Sequence, residues 1–197
     1  MQYTVETIDK VTEMFSALPS IGRKTAQRLT YFLLRQNHNF IIDFSKALIN
    51  LIENVRFCEQ CFNYSEKPIC PICSSSNRDS KIICVVSEPN DVVAIERTNE
   101  FNGKYHILHG LLNPIGGVVA DDLKIKELIS RLDNVKEVIL AINPSIEGEV
   151  TIQFISQLIK PLDIKITRLA SGIPIGSAIE YSDEATILRA IEYRINL

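Results

Sequence analysis

Apolar positions along this chain fall into two textures. From residue 5 to 55 they recur at helical spacing. Val5, Ile8, Val11, Met14 and Phe15 mark one stripe, and a repeat of three to four residues is the mark of an amphipathic helix. Leu18-Pro19-Ser20-Ile21-Gly22 interrupts it as a turn by composition. A second helix is expected from about Lys24, with Ala26, Leu29, Phe32 and Leu33 on one face. A third is expected over 43–55, with Phe44, Ala47, Leu48, Leu51 and Ile52 turned inward.

From residue 81 the texture changes. Lys81–Ser87 (KIICVVS) and Lys136–Ile142 (KEVILAI) are continuous apolar strands, and Tyr105–His109 and Ile164–Leu169 are two more. Helical patterns lie between them. Pro89–Thr98 opens on a proline, Asp121–Leu132 has acidic residues in its first turn, and Gly148–Ile159 is the third. Strands that are apolar on both faces and alternate with helices imply a parallel sheet covered on both sides. Ser182–Arg194 is a final helix with Ala185, Leu188 and Ile191 on one stripe. Ser74–Ser80 is polar and reads as a linker, and 110–117 and 172–176 read as loops near the sheet. The expected fold class is α/β. A helical region spans 1–56, a small cysteine module 57–76, a parallel-sheet domain 80–175 and a terminal helical segment 176–197.

Composition narrows the function. The chain has 197 residues, 46% of them apolar and 23% charged, a globular balance. No apolar run approaches the ~20 residues of a membrane helix. Met1–Lys10 has neither a basic nor an apolar leader region, so a cytoplasmic location without membrane association is expected. The formal net charge of −3 argues against a protein coated with basic surface. Nucleic-acid binding then depends on a local patch.

Two places carry such chemistry. The first is Cys58-x-x-Cys61 with Cys70-x-x-Cys73. Two such knuckles present four thiolates to one point, which suits tetrahedral zinc better than two disulfides or an iron centre in a reducing compartment. With all four positions filled by protein, the expected cofactor is one structural zinc per chain. The intervening segment holds few apolar residues, so metal binding would supply its stability. Cys84 lies in an apolar strand and reads as a core residue.

The second is the turn at 18–22. Gly22 suits a tight turn, and the helix that follows begins with unbonded N–H groups, which attract phosphate. Arg23, Lys24 and Arg28 come immediately after it, with Lys24 and Arg28 four apart on one helix face, and Arg35 further along. The pattern resembles a helix-hairpin-helix, which grips DNA backbone without reading sequence. Among the histidines, His106 and His109 are expected to serve packing or loop hydrogen bonds.

Val85–Pro89 and Ala141–Glu149 each end a strand and open a helix. This arrangement resembles a Toprim domain, whose working members hold magnesium with a glutamate after the first strand and an Asp-x-Asp pair after the later one. Here Ser87 takes the glutamate position, and Asn143 and Ser145 take the aspartates. Glu147, and next to it Glu149, are what remain of the acidic set.

A helix-hairpin-helix, a four-cysteine module and an acid-poor Toprim domain, in that order, resemble the bacterial RecR family of recombination mediators over nearly the whole chain. The matching stretches include Leu18–Arg28, both knuckles, Ile83–Val86, Asp91–Ile95, Leu108–Gly110, Val138–Glu149, Gly172–Gly176 and Glu180-Tyr181. Ser20, Arg23 and Ser87 depart from it, standing where that family usually has glycine, proline and glutamate. The resemblance implies a non-enzymatic DNA clamp, dimeric to tetrameric and ring-shaped. Such a clamp would act with RecO and RecF to load recombinase on gapped DNA. It implies DNA contacts at Lys24 and Arg28, with Arg23 adding charge, a RecO contact at Glu147, and a terminal helix that docks on a partner subunit. The competing readings are a magnesium-dependent Toprim nuclease or topoisomerase-like enzyme using Glu88, Glu147 and Glu149, and a pure protein scaffold.

Overall fold

The computed structural model describes residues 5–170, 172–174 and 176–194. The chain forms two compact units, Met1–Val55 and Arg56–Leu197.

The first unit is helical. α1 (Glu6–Ser16) and α2 (Arg23–Leu33) form the hairpin. Their contact is built from small residues. Ala26 is fully buried, and the buried hydroxyls of Thr12 and Thr30 meet at 3.0 Å. Each threonine also bonds back to a carbonyl four residues earlier, Ile8 and Ala26 respectively, so neither hydroxyl of this contact is left unpaired. α3 (His38–Asn54) starts five residues before the expected position. Asn37 sets that start, since its side chain accepts from the Phe40 amide at 2.8 Å. The expectation that Phe44, Ala47, Leu48, Leu51 and Ile52 face inward is not met. α3 buries no residue, and Ile52 is 81% exposed. Its amphipathic pattern is real, but the apolar face is open in the single chain.

The second unit holds a four-stranded parallel sheet in the order β4-β3-β5-β6. The strands are β3 (Asp79–Val86), β4 (Gly103–Ile107), β5 (Glu137–Leu140) and β6 (Lys165–Arg168). Strand residues alternate cleanly between two cores. Ile83, Val85, Val138 and Leu140 pack on one face against α6 (Ile125–Ile129) and α7 (Ile146–Ile159). Cys84, Val86, Tyr105, Ile107 and Ala141 pack on the other face against Val92 of α5 (Pro89–Glu96) and the four knuckle cysteines. Cys84 is thus the core residue expected, and burial pushes its thiol up to about 12.

The cysteine module therefore serves as one of the sheet's two covers. It contains a short antiparallel pair, β1 (Arg56–Phe57) with β2 (Tyr64–Ser65), and the helical turn α4 (Pro71–Ser74). The expected linker at 74–80 is instead ordered, because β3 already begins at Asp79. Arg78 clips it down by bonding both carboxylate oxygens of Glu96 and the Phe101 carbonyl. The helix expected over 121–132 is broken. Leu123 turns extended between a 3-10 turn (Ala120–Asp122) and α6, which buries its side chain and lets the Lys124 amide reach the Leu108 carbonyl at 3.1 Å. α8 (Glu184–Glu192) closes the described chain.

Candidate nucleic-acid interface and zinc centre

The Sγ atoms of Cys58, Cys61, Cys70 and Cys73 all lie within 4.8 Å of one another, and all four residues are buried. A tetrahedron with Zn–S bonds of about 2.3 Å has edges of about 3.8 Å. The Cys61–Cys70 sulfur separation is 3.6 Å. Amides also point at the cluster. The Cys70 N–H donates to the Cys58 sulfur at 3.3 Å and the Cys73 N–H to the Cys70 sulfur at 3.4 Å, as suits thiolates. The neighbouring Cys70 and Cys73 sulfurs, and then burial, push the Cys61 thiol up; a dication would offset that cost. The donor set fits one zinc held by sulfur alone, with no position left for substrate.

Four contacts tie this centre to the sheet. The Ile107 amide donates to the Cys61 carbonyl at 2.9 Å. Lys104 Nζ donates to the carbonyls of Ile72, Cys73 and Ser75, filling the role of a C-cap for α4. His109 Nε2 lies 2.7 Å from the Phe62 carbonyl. His106 is fully buried in β4 with Phe62 against its ring at 5.5 Å. Its Nδ1 accepts from Arg131 at 2.9 Å and its Nε2 donates to the Lys124 carbonyl at 2.6 Å. Both histidines therefore do the packing and loop bonding expected of them.

In the first unit, the turn into α2 is made differently from expectation. Gly22 has an ordinary φ of −77°, whereas Ser20 carries φ +65°. The left-handed residue is Ser20, the position where the resembled family has glycine. Gly22 instead supplies bareness, since a Cβ there would meet nothing within 4 Å. No side chain caps α2, and the amides of Arg23, Lys24 and Thr25 have no partner among the described residues. Arg23, Lys24, Arg28 and Arg35 are all exposed and make no ion pair among the described residues. Open N–H groups, a bare glycine and uncompensated cations therefore coincide at one turn, an arrangement suited to phosphate.

At the carboxyl end of the sheet, the Toprim positions have turned into structural parts. Ser87 is buried and donates to Asp91 at 2.9 Å. Ser145 caps α7 by accepting from the Gly148 amide at 3.0 Å. Gly148 is forced by crowding, because a Cβ would sit 2.0 Å from the Asn143 carbonyl oxygen. Glu149 is taken by two arginines, bidentate with Arg168 and at 3.3 Å from Arg189, and this pairing holds its carboxyl below the usual range. Glu88 is exposed at the start of α5. Glu147 is half-buried in the first turn of α7, and its carboxylate takes no hydrogen bond or ion pair among the described residues. Among the described residues, the one cluster of three or more metal-binding side chains is the cysteine set.

Over its full length the chain is 49% identical to the "Recombination protein RecR" of Chloroherpeton thalassium (strain ATCC 35110 / GB-78), which it likewise covers completely. The chain belongs to the RecR family. Its parts match in the same order. Residues 8–52 match the RecR helix-hairpin-helix, 55–75 the RecR four-cysteine zinc finger domain, 81–170 the Toprim domain and 172–195 the RecR C-terminal region. RecR membership places this chain among non-catalytic recombination mediators. No helix among the described residues is long and apolar enough to cross a membrane.

Sequence reasoning did not single out Tyr31, an exposed aromatic on the hairpin. Tyr31 follows Arg28 by three positions, the same face-sharing step that joins Lys24 to Arg28 at four. That spacing was the available signal.

Proposed function

We propose that this RecR-family chain is a sequence-indifferent DNA clamp in recombinational repair, with Arg23, Lys24 and Arg28 on the DNA backbone. The observation that carries the reading is the turn at 20–28. It presents three amides and a run of cations that have no partner among the described residues, beside a glycine with open space around it. Clamp action needs assembly, and two open apolar faces support it: α3 (Phe44, Leu48, Leu51, Ile52) and α8 (Leu188, Ile191). Both faces bury apolar area when copies associate into a dimer or ring tetramer. RecO and RecF act as the partners that place the clamp and help load recombinase. Glu147, an unpaired carboxylate beside the sheet's carboxyl end, is the RecO contact. The zinc shapes the fold, and no step of chemistry is assigned to it.

The test is Lys24→Ala plus Arg28→Ala. Removing two phosphate contacts lowers the slope of log affinity against log salt by about 1.8 on duplex DNA, measured by titration over a salt series. A double variant with the parent's affinity and slope would refute the hairpin assignment.

A further inference from the structure

The side of α2 away from α1 carries more than cations. Lys24, Arg28, Tyr31 and Arg35 follow one another at steps of four, three and four. At about 100° per residue Lys24, Arg28 and Tyr31 fall within about 60° of the surface of α2, and Arg35 follows in the turn just past its end at Leu33. Ala26 and Thr30, buried against α1, lie on the opposite side. Arg28 and Arg35 flank a groove of about 460 Å³, also lined by Leu29, Tyr31 and Phe32.

The lining has a definite chemistry. No carboxylate borders the groove, and neither arginine has an ion-pair partner among the described residues. Tyr31 is 44% exposed, and its hydroxyl makes no hydrogen bond among the described residues. Phe32, by contrast, is engaged edge-on with Phe40 at 6.3 Å. Phe32 is the more exposed ring at 52%, but Tyr31, which lies between the two arginines in sequence, makes no such aromatic contact among the described residues and is the ring left free for stacking.

We propose that this groove takes single-stranded DNA, with an unpaired base stacked on Tyr31 and its flanking phosphates held by Arg28 and Arg35. Bases in a duplex are stacked on each other and do not reach such a ring, whereas an unpaired base offers a free face. Lys24 and Arg28 serve both kinds of DNA, and Tyr31 serves the single strand. The proposal rests on the hairpin being the DNA-contacting element. It goes further by naming the residue that sets strand preference.

The experiment compares zinc-loaded full-length parent, Tyr31→Leu, Tyr31→Phe and Arg35→Gln by anisotropy. The probes are a labelled oligo-dT and a duplex of equal length. Tyr31→Leu weakens oligo-dT binding by roughly 5- to 160-fold, the range of one lost base stack, and leaves duplex binding unchanged. Tyr31→Phe retains oligo-dT binding, since stacking needs the ring and not the hydroxyl. Arg35→Gln lowers the oligo-dT salt slope by about 0.7. Equal loss on both probes, no loss on either, or a Tyr31→Phe defect matching Tyr31→Leu would overturn the proposal. So would a change of oligomeric mass in Tyr31→Leu, because the groove would then belong to a contact between copies. Failure of the underlying hairpin reading looks different: duplex binding survives Lys24→Ala plus Arg28→Ala.

Discussion

Ser20 stands at φ +65° in the turn that presents the cations, and a side chain in the left-handed region costs roughly 1 kcal/mol relative to glycine. Part of that gain is offset by the larger unfolded-state freedom of glycine. Ser20→Gly is therefore expected to stabilise the N-terminal unit by up to about 1 kcal/mol, read from chemical denaturation followed by helix content; a destabilised variant would show that the hydroxyl serves the turn. His106 gives a second test at this scale. Burial, and next the charge of Arg131, depress its pKa to about 3, against about 6.5 in an unfolded chain. The folded state thus binds fewer protons than the unfolded one at acid pH. The stability this histidine contributes is present above about pH 6.5 and is lost as pH falls toward 3, with a slope approaching 1.4 kcal/mol per pH unit. His106→Gln cannot titrate, so the difference between parent and variant in unfolding free energy should shrink with acidification. A difference independent of pH would contradict the buried neutral imidazole. At this scale the sequence was legible where chemistry is local. The four cysteines could be read from their spacing, and Lys24 with Arg28 from theirs. The positive φ of Ser20 could not be read from Gly22 two positions on, because both residue types are common in turns.

At the scale of elements, the zinc finger is the part whose role changed most. Its own sequence looks like a small separate module. In the fold its cysteines share a core with Cys84, Val86, Tyr105 and Ile107. Removing zinc therefore uncovers one face of the sheet. Stripping the metal with a strong chelator should lower the melting temperature of the C-terminal unit by roughly 10 °C or more, followed by circular dichroism with zinc content checked by elemental analysis. An unchanged melt from metal-free protein would mean that the module is an independent appendage. The sheet itself was readable, since buried parallel strands are continuous apolar runs and four of them stand out. The broken helix at 121–132 was less readable. Its periodicity is helical, but a long-range bond from the Lys124 amide to Leu108, and the burial of Leu123, override it. α3 was readable as an amphipathic helix but not as an unpaired one. Periodicity reveals a face and says nothing about what covers it.

At the scale of the whole molecule, a net charge of −3 and a DNA-binding role are compatible because a local group of cations without acidic partners among the described residues, Arg23, Lys24 and Arg28, is enough to meet phosphates. At the Toprim edge the side chains serve structure, with Ser145 as a helix cap, Ser87 as a buried donor and Glu149 as an arginine partner. The role proposed for this RecR-family chain is to hold DNA and partners, and the open apolar faces on α3 and α8 support self-association as the route. The most direct measurement of that claim is topological. Zinc-loaded protein is bound to a covalently closed DNA circle and challenged with high salt, before and after the circle is cut once. A clamp stays on the closed circle and is lost promptly on linearisation, because salt removes the phosphate contacts but leaves the ring around the strand. Equal release from both forms would contradict encirclement and reduce the chain to an ordinary backbone-binding protein.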